Sequence, residues 1–429
     1  MSSLASLLLR YGYAVTGSDA VCGSWIERLR RNGAFVETGE ARTLFAVRAA
    51  DVVVYTDAVA ETDEERLEAE RAGKIVYARA DFLRLVSRAF PYAVSVAGSH
   101  GKTTCTAMCA HILRAANAPF TAHIGGEDCA FSNFYSDGTE YFVTEACEYK
   151  KNLLKICADT RILLNIDYDH MECYGSEDAL VRTFLEYCAG AKTAVVCADD
   201  KRCEGVKNAV TFGVKNPCAD YLAVDVRSRR EQYSFTVKEY GKPLCRVRLS
   251  VVGKCHVYNA LAAFAAMRSY GFSEREICQG LRSFQGVKRR FEKMGTLFGA
   301  AVVCDYAHHP KEIVSTVLTA KKTCKGNLFV VFQPHTYSRT KTLMNDFVEC
   351  LKPIERLLIY KTFPAREKYD EEGCAKTLAE RVGCLYADTA NALKTWLARS
   401  AKENDCVLFL GAGDVYYLAE YLVKEGKME

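Results

Sequence analysis

Between an alternating apolar run, Tyr92 to Ala97, and a stretch from Cys105 to Ala116 without Gly or Pro lies Gly98-Ser99-His100-Gly101-Lys102-Thr103-Thr104. The pattern predicts a buried strand, a turn and a helix. A glycine-rich turn at that junction points backbone N–H groups at an anion, and the helix N-terminus adds the positive end of its dipole. Lys102 is then set to reach the β- and γ-phosphates of a nucleotide, and Thr103 to offer a hydroxyl to Mg²⁺. The string is shorter than a full Walker A motif, because Val96 stands where that motif has its first glycine. A solvated surface turn with a lone lysine would leave the threonine pair unexplained.

A chain of 429 residues has room for two or three domains around this loop. Residues 1–90 read as a helix over 1–12, a strand from Ala14 to Gly17 running into Ser18-Asp19, a helix near Trp25 to Asn32, and strands at Phe35, Asp51 to Tyr55 and Ile75 to Tyr77. That βα alternation is Rossmann-like. A Rossmann domain opens on a strand and a glycine-rich turn, whereas here a helix comes first. Either this domain is atypical or its first strand lies upstream of Met1. Asp19, at the end of the first visible strand, is placed for a ribose hydroxyl or is a plain turn residue.

Pro91 marks a boundary. Residues 91–285 form a central α/β domain with strands at Tyr141 to Glu145, Arg161 to Ile166 and Thr193 to Cys197. A hairpin within 221–252 turns at Tyr240-Gly241-Lys242-Pro243, and a helix follows from Asn259 to Tyr270. Residues 286–429 alternate again, ending in Gly411-Ala412-Gly413 and a helix, which predicts a second doubly wound sheet.

Six of the eight histidines, at 100, 170, 256, 308, 309 and 335, fall at predicted strand ends, where open α/β sheets bind ligands. Glu145 ends an apolar strand and is placed to hold Mg²⁺, with Glu148 close behind. Asn165-Ile166-Asp167-Tyr168-Asp169-His170 offers an amide, two carboxylates and an imidazole, a second metal site or a capped loop. Lys288-Arg289-Arg290 is a solvated face or a phosphate clamp. Asp305-Tyr306-Ala307-His308-His309-Pro310 and Gln333-Pro334-His335-Thr336-Tyr337-Ser338-Arg339 follow strands expected to be neighbours, and so would share a pocket. Arg339 suits a carboxylate, and His308 or Asp305 could orient or deprotonate an amine.

The balance of 57 basic and 53 acidic residues implies no nucleic-acid partner. No apolar run reaches membrane-spanning length and no signal peptide is recognisable, so no membrane partner is expected. Twenty cysteines without a C-x-x-C pair read as reduced, mostly buried thiols of a cytoplasmic enzyme.

The stretches AGSHGKTT, TEACEY, NIDYDHMECY, FQGVKRRFE, DYAHHPKEI, FQPHTYSRT, FPARE and FLGAGDVY span nearly the whole chain. In this order they resemble the Mur ligase family, with DYAHHP and QPHTYSRT matching its alanine-adding branch. The resemblance implies three α/β domains: a UDP-sugar domain lacking its first strand and glycine loop, a P-loop-type ATPase domain with added antiparallel strands, and a Rossmann-like amino-acid domain. It implies ATP-dependent joining of L-alanine to UDP-N-acetylmuramate through an acyl phosphate, by a monomer or homodimer. Lys102 is catalytic by this resemblance, within the nucleotide loop Gly98 to Thr104. Thr103 and Glu145 hold one Mg²⁺ and His170 a second. Asn259 contacts adenine and Arg290 the γ-phosphate. Asp19 and Glu148 face the sugar nucleotide, and Asp305, Tyr306, His308, His335 and Arg339 handle L-alanine. Glu40 stands where the family usually has histidine, and only Asn259 remains of the adenine motif. A sister ligase that recycles peptides shares the His-His-Pro loop but differs over 335–339. A nucleotide-binding homologue without ligase activity is the other alternative.

Overall fold

The computed structural model describes residues 1–39, 43–167, 171–229 and 232–426. The chain divides into two compact units. One comprises Met1–Arg227, Ser234–Ser250 and Cys255–Gln285; the other comprises Ser228–Tyr233, Val251–Lys254 and Gly286–Glu429.

In the first unit, the opening ninety residues hold two separate pairs of parallel strands: Thr16–Asp19 with Phe35–Thr38, and Val52–Tyr55 with Ile75–Ala78. A single sheet was expected. Among the described residues no strand joins the two pairs. The helices Phe45–Ala49, Glu64–Arg71 and Arg79–Arg88 went unrecognised in the sequence. Charged residues interrupt their apolar stripes, so the 3.6 period is faint.

The central sheet runs in the order Lys242–Val252, Gln232–Glu239, Tyr221–Arg229, Val210–Gly213, Thr193–Cys197, Thr160–Leu163, Tyr92–Ala97, Tyr141–Glu145, Phe120–Asp128, Ser132–Ser136. The hairpin turns where expected, with Tyr240 and Gly241 at φ of 48° and 78°. Pro243 is tolerated because its strand is at the sheet's edge. The pair Phe120–Asp128 and Ser132–Ser136 was not anticipated. Its glycines, Gly125 and Gly126, and its polar tip hide the strand period. The strand expected over Arg161 to Ile166 is shorter, Thr160–Leu163, and hands its last residues to a loop that grips the phosphate turn. Helices Lys102–Ala115 and Cys255–Ser269 pack against this sheet with most of their side chains buried. Both start earlier than the spacing predicted.

The second unit carries a six-stranded sheet: Glu292–Leu297, Ala300–Asp305, Cys406–Leu410, Leu328–Phe332, Leu357–Tyr360, Leu385–Ala387. All neighbours are parallel except the first pair. The inner strands Leu328–Phe332, Leu357–Tyr360 and Cys406–Leu410 are nearly continuous apolar runs, as strands covered on both faces must be. Among the described residues no helix is long and apolar enough to cross a membrane.

Candidate active site

The strand Tyr92–Ala97 delivers the phosphate turn at the middle of the central sheet. Gly98 sits at φ 138° and Gly101 at 89°, conformations that side chains resist. A Cβ on residue 101 would lie 2.5 Å from Asn259 Oδ1, and one on residue 98 would lie 3.1 Å from the Asn165 carbonyl oxygen. The turn is therefore pressed against two neighbouring segments. Asn165 clasps it, accepting the His100 N–H at 2.9 Å and donating to the His100 carbonyl at 3.0 Å. Ser99 Oγ donates to the Asp167 carbonyl and accepts the Asp167 N–H. His100 Nε2 lies 3.2 Å from an Asp167 carboxylate oxygen.

The following helix begins at Lys102 with no side-chain cap, which leaves its leading N–H groups to whatever the turn holds. Lys102 Nζ folds back to the Gly98 and Ser99 carbonyls at 2.6 and 3.2 Å and to Glu148 Oε1 at 2.9 Å. Burial opposes its charge, but the charge and hydrogen bond of Glu148, with Glu145 nearby, hold its pKa above the ordinary value. Glu148, expected to face the sugar nucleotide, is paired with Lys102 in this structure. A buried carboxylate takes the nearest cation, because leaving either charge unpaired would cost several kcal/mol.

Glu145 pairs in register with Val96, the penultimate residue of the loop's strand. Its Oε1 accepts the Gly125 N–H at 2.6 Å, and any side chain at 125 would strike it. Thr103, nearly buried, opens the adjacent helix. A hydroxyl and a carboxylate are hard oxygen donors, the set that suits Mg²⁺. His170, with Tyr168 and Asp169, lies outside the described residues, as does Glu40. Asp19 is exposed and accepts the Val21 N–H at 3.1 Å, so its carboxylate closes a local turn.

In the second unit, Asp305 ends its strand and accepts the N–H groups of Phe291 and Ala307 at 2.7 and 2.8 Å. Burial pushes its carboxyl up to about 6 against the opposing pull of Arg290. The Arg290 guanidinium lies over the Tyr306 ring at 4.9 Å. His308 donates Nδ1–H to the Tyr306 carbonyl at 3.0 Å, with Glu312 at 3.5 Å, and its ring lies 5.9 Å from that of His335. Arg339 donates to His335 Nδ1 at 3.2 Å, which assigns the His335 proton to Nε2. Burial first, then the His308 and Arg339 charges, pushes His335 down to about 4, so it is neutral near pH 7. Its ring stacks on Phe363 at 5.5 Å.

The two motif loops thus meet, although their strands are not neighbours as the sequence had implied. Cys406–Leu410 lies between them. A doubly wound sheet often places its last strand centrally, and residue order along the chain does not reveal this. Fully buried Gln333 ties the second motif loop to the segments that follow its two neighbouring strands, accepting the Val415 N–H at 2.9 Å and donating to Asp414 at 2.6 Å and the Lys361 carbonyl at 3.3 Å. Of the basic triplet, Arg289 is structural: it lies between the Tyr306 and Tyr416 rings and donates to the Gly413 carbonyl at 2.7 Å. Sequence reading gave Gln333 no role and Arg289 only a share in a solvated face or phosphate clamp; Thr336, a β-branched residue at φ 67°, marks a strained loop.

Three family models match the chain in succession: "Mur ligase family, catalytic domain" over residues 1–91, "Mur ligase middle domain" over 96–267 and "Mur ligase, glutamate ligase domain" over 289–413. The UDP-N-acetylmuramate–L-alanine ligase of Caldanaerobacter subterraneus subsp. tengcongensis is 36% identical, with 100% of this chain and 95% of that protein covered. The chain belongs to the Mur ligase family. A second relative of the same name, from Clostridium beijerinckii, is also 36% identical over 99% of this chain and 95% of its own length. Among solved structures, the UDP-N-acetylmuramate–alanine ligase of Thermotoga maritima superposes with a TM-score of 0.85 at 26% identity, covering 100% of this chain and 96% of that one. Mur ligases have the three-domain α/β organisation expected from the sequence, and this chain shares it.

Proposed function

We propose that the chain is an ATP-dependent ligase that joins L-alanine to the lactyl carboxylate of UDP-N-acetylmuramate, giving ADP and phosphate, in the cytoplasm. The observation that carries this reading is the meeting of Tyr306, His308, His335 and Arg339 in one cluster, in a chain whose full length aligns with L-alanine ligases. The domains fall at about 1–90, 91–285 and 286–429, the first for the sugar nucleotide, the second for ATP and the third for the amino acid.

A carboxylate is a poor acylating agent, so it must first gain a leaving group. The lactyl carboxylate attacks the γ-phosphorus of ATP and ADP departs. The α-amine of L-alanine then attacks the acyl carbon, inorganic phosphate leaves and the amine loses a proton. Lys102 turns from Glu148 and the turn carbonyls to the β- and γ-phosphates, while Gly98 to Thr104 cradles them with backbone N–H groups. Thr103 and Glu145 would hold Mg²⁺, which neutralises phosphate charge. His170 is assigned by resemblance to a second Mg²⁺, Asn259 to the adenine and Arg290 to the γ-phosphate. Arg339 pairs with the L-alanine carboxylate through its fork. Neutral His335 fixes that guanidinium without cancelling its charge. Asp305 or His308 accepts the amine proton, Asp305 being ionised above about pH 6. Coupled measurement of phosphate release against each substrate in turn tests the assignment; release must require both UDP-N-acetylmuramate and L-alanine.

A further inference from the structure

Strand-end reasoning passes over two of the eight histidines, at 111 and 123. His123 sits inside the strand Phe120–Asp128, nearly buried, and lies opposite Thr144 in the neighbouring strand. One ring nitrogen, Nδ1, is 2.9 Å from Thr144 Oγ1; the other, Nε2, is 3.3 Å from an Arg79 guanidinium nitrogen. Arginine only donates, so Nε2 accepts and Nδ1 carries the proton. Thr144 Oγ1 in turn contacts the Glu145 carbonyl at 3.3 Å. A directed chain therefore runs Arg79 to His123 to Thr144 to the backbone of Glu145. Burial, with the Arg79 charge adding to it, pushes His123 down to about 3, so the imidazole is neutral at any working pH.

A half-buried arginine is ordinarily matched by a carboxylate. Here the partner is an uncharged acceptor, and among the described residues no carboxylate lies within ion-pair distance of Arg79. A neutral acceptor orients the guanidinium and leaves its full charge outstanding. The sheet order fixes where its partner His123 stands. The loop strand Tyr92–Ala97 is followed by Tyr141–Glu145 and then by Phe120–Asp128. The strand that carries His123 is thus two strand spacings, roughly 10 Å, from the loop strand, with Tyr141–Glu145 between them, and Arg79 stands against His123. The Cys147 thiol, between Glu145 and Glu148 in the chain, feels both Lys102 and Arg79. Arg79 opens the helix Arg79–Arg88 of the first ninety residues, the part assigned to the sugar nucleotide.

We propose that Arg79, aimed by His123, binds an anionic oxygen of the sugar nucleotide and delivers the lactyl arm to the γ-phosphate side of Glu145. This rests on the ligase reading above. The shared chemistry is an oxyanion, supplied either by the lactyl carboxylate or by the diphosphate. Arg79 touches substrate; His123 is a positioning residue that acts through it.

The test is steady-state kinetics and calorimetry on the full chain carrying Arg79→Gln, Arg79→Lys, His123→Leu or His123→Gln. A charge-assisted pair lost from a partly dry site corresponds to about a ten- to hundredfold change in KM. Arg79→Gln is expected to raise the KM for UDP-N-acetylmuramate by about that factor, with the KM for ATP and L-alanine within about twofold. Arg79→Lys keeps the charge without the fork and falls between. His123→Leu raises the same KM by about three- to tenfold, while His123→Gln, which still offers an oxygen to Arg79, restores it. Calorimetry with UDP-N-acetylglucosamine, which has the diphosphate but no lactyl group, separates the sources. Affinity lost only for UDP-N-acetylmuramate assigns the carboxylate, and equal loss for both assigns the diphosphate. Unchanged sugar-nucleotide KM in Arg79→Gln and Arg79→Lys overturns the proposal, as does an equal rise in all three KM values. If Arg79→Gln does not fold, Arg79→Lys and the two His123 variants decide by the same split. Failure of the wild-type chain to form product with L-alanine would instead overturn the ligase reading.

Discussion

On the proposed reading, the phosphate turn and the His–Arg cluster both hold an anion, and they are built of different materials. The turn is backbone held by backbone and amide: two glycines at positive φ, Asn165 clasping His100, Ser99 bonded to Asp167. The cluster is side chain on side chain: His335 lies between Phe363 and Arg339, and His308 against Tyr306. On that reading the difference follows from the ligands. A polyphosphate is bound by many weak N–H dipoles, and these tolerate little displacement. A small zwitterion offers one carboxylate and one amine, so a few tuned groups suffice. The turn is therefore sensitive to added volume and the cluster to altered charge.

Variants should divide along that line. Lys102→Ala has the largest expected effect, about a thousandfold or greater fall in kcat for phosphate release, because the γ-phosphate loses its lysine. Gly101→Ala comes next. Its methyl would meet Asn259 Oδ1 at 2.5 Å at φ 89°, costing about 1–3 kcal/mol of stability and raising the KM for ATP about tenfold or more; unchanged melting would show the turn is looser than described. Arg339→Ala should leave melting nearly unchanged and raise the KM for L-alanine about ten- to a hundredfold, with ATP little affected. Equal changes in both would remove Arg339 from the amino-acid site.

The smallest effects concern pH, and they set two groups of the cluster against each other. Asp305 is raised in the fold, so its protonated form contributes stability that is full below its unfolded value near 4 and lost as pH rises through about 6. His335 is lowered, so its contribution is full above about 6.5 and lost as pH falls toward 4. Between pH 4 and 6.5 the two slopes oppose. Melting curves of Asp305→Asn should show a steeper loss on the acid side than wild type, and those of His335→Gln a shallower one. Parallel curves for all three proteins would contradict these assignments.

Much of both regions could be read in advance, and what was missed has a common cause. The turn was legible because glycine, lysine and threonine each carry a local reason to be there. That the two motif loops of the second sheet would meet was legible from their strand ends. Non-local facts were hidden: the strand Cys406–Leu410 inserted between the motif strands, Glu148 paired to Lys102, and Gln333 binding three loops. His123 looks like an ordinary core residue until its partner from position 79 is seen. The strand 120–128 was hidden by glycines, one of which, Gly125, must be bare for Glu145 to fit, and its partner 132–136 by its polar residues.

The most direct measurement is phosphate release by the wild-type chain with ATP and Mg²⁺, omitting one substrate at a time. Release is expected only when UDP-N-acetylmuramate and L-alanine are both present, with one amide bond formed per phosphate released. Release that continues without L-alanine, or an amide product absent while phosphate accumulates, would contradict the ligase reading.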